Sequence, residues 1–128
     1  PVAQRSMGKV HAMTTQEFDA FVNDTVKLYG DGAEWTEKLY AGLGLGGEAG
    51  EVQELLKKSY RARTGADRAE VAMECGDVLW YLSRVLRLHG LTIEDAMIAV
   101  RYKINARKLH GKQPELERAE VYHLLGDR

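Results

Sequence analysis

The two prolines of this chain are Pro1 and Pro114, so no residue between them carries the ring clash and missing N–H that break a helix interior. Across that stretch apolar residues recur at three- and four-residue spacing rather than in alternation, which marks amphipathic helices and not strands. Aromatic residues make up only 8% of the chain, few for a β-sandwich. The expected fold is all-α, a helical bundle of four main helices. Residues 1–13 show no apolar period and are expected to be a flexible tail. Met7 and Met13 could each be a natural start, which would make part of that tail foreign sequence. Residues 14–128 are expected to form one domain.

The helix ends can be read from their capping residues. Thr14 with Glu17 makes a capping box, followed at helical spacing by Phe18, Phe21, Val22, Thr25 and Leu28. Gly30 and Gly32 are expected to end this helix. A second helix is expected over about 33–63, with Leu39, Leu43, Val52, Leu55, Leu56 and Tyr60 as its apolar positions. Gly42, Gly44, Gly46, Gly47 and Gly50 crowd its middle, each costing about 1 kcal/mol relative to alanine. Either the helix breaks there, or Gly42, Gly46 and Gly50, which share one face, let another helix approach closely.

Asp67 with Glu70 caps a third helix that stops at His89-Gly90, with Val71, Val78, Leu79, Leu82, Val85 and Leu86 apolar. Thr92 with Asp95 caps a fourth. Its expected buried stripe is Ile93, Ala96, Met97, Val100 and Ile104, and Gly111 and Pro114 are expected to end it. A short, weakly amphipathic segment from Glu115 to Leu125 follows.

Chemistry concentrates on the second and third helices. Glu48 and Glu51 are three residues apart, as are Glu74 and Asp77, which places each pair on one helix face about 60° apart. Like charges at that spacing repel, and both pairs adjoin an apolar stripe. If the two helices pack together, four carboxylates converge where burying them unpaired is costly. A divalent cation resolves the conflict, and Mg²⁺ suits oxygen ligands and phosphate substrates. Lys58 lies two turns beyond Glu51, placed to neutralise phosphate charge. Tyr81 lies one turn beyond Asp77, placed to stack on a base or sugar, or to pack in the core. On the fourth helix Arg101, Asn105 and Lys108 form a polar stripe suited to phosphate oxygens or to solvent.

Other features exclude other classes. A formal net charge of -1 argues against a general nucleic-acid or anionic-membrane binder. No apolar run approaches the roughly 18 residues of a membrane span. A lone cysteine, Cys75, forbids an intrachain disulfide and fits a reducing, cytoplasmic setting. It is expected to be small and buried rather than a nucleophile. Gly42, Gly44 and Gly47 spell a dinucleotide-binding motif, but without the strand and βαβ unit that motif needs. His11, His89, His110 and His123 lack metal-ligand spacing.

The stretch Gly44-Leu45-Gly46-Gly47-Glu48-Ala49-Gly50-Glu51-Val52, then Lys57-Lys58, then Glu74-Cys75-Gly76-Asp77-Val78-Leu79-Trp80-Tyr81-Leu82, then Asn105 with Lys108-Leu109, resembles the MazG family of nucleoside triphosphate pyrophosphohydrolases, in the all-alpha NTP pyrophosphatase superfamily. The resemblance runs from about Leu39 to Leu109. It implies a helical core that dimerises, often further to a tetramer. It implies Mg²⁺, with Mn²⁺ able to substitute, held by Glu48, Glu51, Glu74 and Asp77, and hydrolysis of (deoxy)nucleoside triphosphates to monophosphate and pyrophosphate, often as pool housecleaning. By the same resemblance Lys58, Asn105 and Lys108 contact phosphate or sugar and Tyr81 lines the base pocket.

Many members of that family carry Glu at the position of Gly47, which removes one candidate acid here; relatives resembling the dCTP pyrophosphatases share the glycine. The stretch after Lys108 also departs from the family pattern. Either Glu48 or Glu51 could activate the attacking water. The alternative expectations are a phosphoribosyl-ATP pyrophosphohydrolase-type enzyme and a non-catalytic helical interaction module. The expected partners are a nucleotide and a second copy of the chain, with no nucleic acid and no membrane.

Overall fold

The computed structural model describes residues 12–28 and 32–126. Every regular element among them is a helix: α1 Thr15–Thr25, α2 Glu34–Ala62, α3 Arg68–Leu88, α4 Ile93–His110 and α5 Pro114–Leu125. Most of the expected tail, residues 1–11, lies outside the described residues, as does Gly30.

The caps act as their residue types dictate. Thr14 and Glu17 exchange both capping-box bonds at the start of α1, and Thr92 and Asp95 do the same at α4. Asp67 accepts from the backbone N–H groups of Ala69 and Glu70 at 2.9 and 3.1 Å. These side chains satisfy donors that the first helical turn leaves without partners.

Helix α2 runs through its glycines without a break, which settles the first of the two expectations for that stretch. It ends at Ala62. Arg63 then takes the left-handed conformation (φ 55), and the N–H groups of Arg63 and Thr64 donate back to the carbonyls of Tyr60 and Ser59, both at 3.1 Å. That tight end, with the cap at Asp67, turns the chain so that α3 returns along α2.

Two ends differ from expectation. Helix α1 stops at Thr25 rather than near the glycines, and Val26 is already extended. The Thr25 hydroxyl bonds to the carbonyls of Phe21 and Val22 at 2.9 and 3.2 Å, offering the last turn a partner other than the next N–H. Pro114 does not close α4; Gly111 does so, and Pro114 opens α5, where its missing N–H costs nothing.

Helix α3 is central: it packs on α2, α1 and α4, while α5 packs on α4. Asp19 ties three of these together. Its carboxylate accepts from the buried Ser83 hydroxyl at 2.5 Å and from the Ile93 N–H at 3.2 Å, joining α1 to α3 and to the start of α4. Between α4 and α5, Arg107 grips Glu117 with two bonds of 2.7 and 2.8 Å.

Apolar burial is sparse in the single chain. Among the described residues only Val22 and Ala41 are buried apolar side chains, while Leu43 is 69% exposed and Tyr60 88%. The stripe expected to bury on α4 is likewise open at Met97, Val100 and Ile104, and Asp95 is the buried residue of that helix. Helix α4 meets α1 near its capped N-terminal end and packs on α5, yet Met97, Val100 and Ile104 remain exposed. Helix α2 packs on α3 alone among the described helices, which leaves Leu39, Leu43, Leu56 and Tyr60 uncovered.

Candidate metal centre

The antiparallel pairing of α2 and α3 sets the two carboxylate pairs against each other. Glu48 from α2 meets Glu74 and Asp77 from α3, and each offers a carboxylate oxygen within 4.8 Å of the others. Burial, first, and then the negative charges of Asp77, Glu74 and Glu51 hold the Glu48 carboxyl above the usual carboxylate range. Carboxylates this close oppose each other's ionisation. An oxygen-preferring divalent cation reverses that opposition, and three converging carboxylates are the donor set such an ion takes. The residues present therefore fit a hard divalent cation.

Glu51 stands outside the trio. It is exposed and lines, with Glu74 and Lys58, a cavity of about 480 Å³ that runs toward the α2–α3 turn. Its neighbour Lys57 pairs with Glu54 at 2.9 Å, so Lys58 is the lysine of that dipeptide that faces the cavity. The four expected ligands thus divide into three grouped carboxylates and one beside them.

On the other side of the trio lies a second cavity, of about 280 Å³, which Glu48 and Asp77 line at one end. Tyr40, Trp80 and Tyr81 form its aromatic wall. The Trp80 and Tyr81 rings meet edge to face, with centroids 5.0 Å apart and planes at 73°. The indole N–H of Trp80 donates to the Thr25 hydroxyl at 2.9 Å. Tyr81 thus stands where the sequence places it, next to the carboxylates. The cavity also holds Glu37 and Arg84, whose side chains meet at 3.4 Å and are only 6% and 13% exposed.

Sequence reasoning missed Glu37, Trp80 and Arg84. A signal was present: Glu37, Ala41, Gly44 and Glu48 step along one face of α2 at four, three and four residues, and Asp77, Tyr81 and Arg84 step along the matching face of α3. Following the two faces about three turns before Glu48 and two turns beyond Asp77 would have reached the pair.

Arg101, Asn105 and Lys108 are not brought to the trio within one chain. All three are exposed on α4, which makes no contact with α2 among the described residues, and none lines either flanking cavity. Cys75 is exposed rather than buried. It follows Glu74 by about 100° of helical rotation, which turns it away from the face that meets α2.

Among known proteins, the family model described as the MazG nucleotide pyrophosphohydrolase domain matches residues 37–111. That span contains every residue of the trio, Glu51, Lys58, Tyr81, and the α4 stripe. No curated protein and no solved structure matches the chain.

Proposed function

The chain belongs to the MazG nucleotide pyrophosphohydrolase family, and from that premise we propose that it hydrolyses (deoxy)nucleoside triphosphates to the monophosphate and pyrophosphate with Mg²⁺, as nucleotide-pool housecleaning. The observation that carries this reading is the position of the Glu48–Glu74–Asp77 trio between an aromatic cavity on one side and a cavity holding Lys58 and Glu51 on the other.

In this reading Glu48, Glu74 and Asp77 hold the metal, with Glu51 beside them. The bound cation supplies charge neutralisation on the phosphate oxygens. The base and sugar rest against Tyr81 and Trp80, and the triphosphate extends across the trio toward Lys58. Lys58 neutralises charge on the departing pyrophosphate. Glu51, the carboxylate left outside the trio, orients the attacking water and takes its proton, while the oxygens of Glu48 are committed to the cluster. Water breaks the bridge between the α and β phosphates, and its two hydrogens end as one proton on the base and one hydroxyl on a phosphate product.

The same reading asks for a second copy of the chain. Leu39, Leu43, Leu56 and Tyr60 are uncovered on α2, and Met97, Val100 and Ile104 on α4. Fully burying a side chain of this kind stabilises by about 1.5–3 kcal/mol. We take the assembly to be a closed dimer or a dimer of dimers. Arg101, Asn105 and Lys108, remote from the trio of their own chain, then serve a neighbour's substrate.

The test is product identity. Incubation with Mg²⁺ and a panel including dCTP, dUTP, dATP and oxidised nucleotides should yield monophosphate and pyrophosphate in equal amounts. Release of orthophosphate with a nucleoside diphosphate, or turnover of phosphoribosyl-ATP alone, contradicts the proposal, as does no turnover of any substrate.

A further inference from the structure

The pair Glu37 and Arg84 is placed and built unlike the other interhelical ion pair among the described residues. Arg107 and Glu117 share two bonds of 2.7 and 2.8 Å, the forked geometry of a strong pair. Arg84 reaches Glu37 through one nitrogen at 3.4 Å, although both side chains are more deeply buried. Desolvating two charges is expensive, and only close, well-aligned contact repays it. Glu37 has interactions besides this one, and what marks the pair is its position. The pair lies in the wall of the cavity of about 280 Å³ that Trp80 and Tyr81 line and that opens onto Glu48 and Asp77. Three rings, those of Tyr40, Trp80 and Tyr81, line it beside fixed charged groups that include Lys27, and in a ring-binding site such polar groups set specificity.

We propose that Glu37 and Arg84 read the hydrogen-bonding edge of the nucleobase and are the specificity-determining residues of this site. The Glu37 carboxylate accepts from a ring or exocyclic N–H, and the Arg84 guanidinium donates to the adjacent carbonyl or ring nitrogen. Every nucleobase edge sets an N–H beside an acceptor, but the order and spacing differ, so a fixed acceptor next to a fixed donor ranks the bases. Their distance along the helices fits this role: Arg84 lies two turns beyond Asp77 and Glu37 three turns before Glu48, away from the phosphates and beyond Tyr81. The inference rests on the nucleotide reading of the preceding section and adds which residues select the base.

The test compares kcat and KM for pyrophosphate release from dATP, dCTP, dGTP and dTTP by the wild type, Glu37→Gln and Arg84→Lys. Glutamine keeps the shape but replaces one acceptor oxygen by a donor; lysine keeps the charge but loses the fork. The expected result is a change of at least about tenfold in the ratio of kcat/KM between the best and worst bases, carried mainly by KM. Equal loss on all four nucleotides, or an unchanged ratio, overturns the proposal and leaves the pair a structural contact. A wild type that takes all four equally also overturns it. If the wild type hydrolyses none of them, the nucleotide reading itself falls and this inference with it. Should one variant fail to fold, the other decides the same ratio.

Discussion

Tyr81 packs its ring against the bare backbone of Gly44, so closely that a Cβ added at Gly44 would overlap three atoms of the ring. This is the one glycine of the crowded stretch that a neighbouring side chain requires. At Gly42, Gly46, Gly47 and Gly50 a Cβ would meet nothing within 4 Å in the chain. The glycine face expected to admit a second helix is therefore unused among the described residues, and the close approach occurs at Gly44, two residues from Gly42 and Gly46 and so on another face of the helix.

Gly44→Ala should displace the Tyr81 ring from the wall of the aromatic cavity and, if the proposed reading holds, lower kcat/KM by at least about tenfold, since small misplacements at a substrate site are costly. Gly47→Ala should leave Tyr81 in place and raise stability by about 1 kcal/mol, the helical preference of alanine over glycine. Steady-state kinetics and thermal melts of the two variants check the contrast. Equal activity in both would remove Tyr81 from the site.

Mg²⁺ should stabilise the folded protein, and more so as pH rises. Burial and the neighbouring acids hold the Glu48 carboxyl above its ordinary 4.5. In metal-free protein its protonated form is thus favoured by folding, and that contribution is lost as pH rises through its titration. A bound cation favours the ionised form, so the gain from metal grows in the same direction. Melts with Mg²⁺ and with EDTA, from pH 4.5 upward, measure it. No shift at millimolar metal would count against the carboxylate trio as a binding site in the absence of substrate.

The Arg107–Glu117 pair gives a different pH dependence. Bonding to the Arg107 guanidinium holds the Glu117 carboxyl down at about 2, against an ordinary value of 4.5. A folded-state value below the unfolded one means stability that is fully present above 4.5 and lost as pH falls toward about 2. The melting temperature of wild type should exceed that of Glu117→Gln at neutral pH, and the gap should close on acidification through that window. A gap independent of pH would show that the pair acts by packing rather than by charge.

Assembly can be measured directly. Light scattering at micromolar concentration should report a dimer or tetramer, because one chain leaves Leu43 69% and Tyr60 88% exposed. Mixing inactive Glu51→Gln chains with inactive Lys108→Ala chains should restore activity if Lys108 serves a neighbour's carboxylates. A stable, active monomer refutes the assembly; no recovery after verified subunit exchange refutes the shared site.

What could be read from sequence was local. Thr14, Asp67 and Thr92 announced three helix starts because a capping side chain bonds within its own first turn. The carboxylate trio was legible because spacing along a helix fixes a face, and two acidic faces on adjacent helices have one economical arrangement. What failed was choosing neighbours. The stripe of Met97, Val100 and Ile104 is apolar and correctly helical, but period does not say which element covers it. Asp95 is buried where that stripe was expected because it caps its own helix at the junction with α1 and α3. Glu37 and Arg84 escaped notice because each alone looks like an ordinary surface charge; only the pairing of α2 with α3 brings them together. Arg101, Asn105 and Lys108 were placed on one face of α4, but sequence spacing carried no information on whose site that face meets.

The most direct test of the account is pyrophosphate release by Glu48→Gln, Glu51→Gln, Glu74→Gln and Asp77→Asn at saturating Mg²⁺, each with its fold checked by circular dichroism. Each amide keeps the shape of the carboxylate and removes its charge, so each should lower turnover at least about tenfold while the helices persist, given the several kcal/mol that charge stabilisation at a catalytic metal supplies. Near-normal turnover in any two of the four would contradict a reaction centred on these carboxylates.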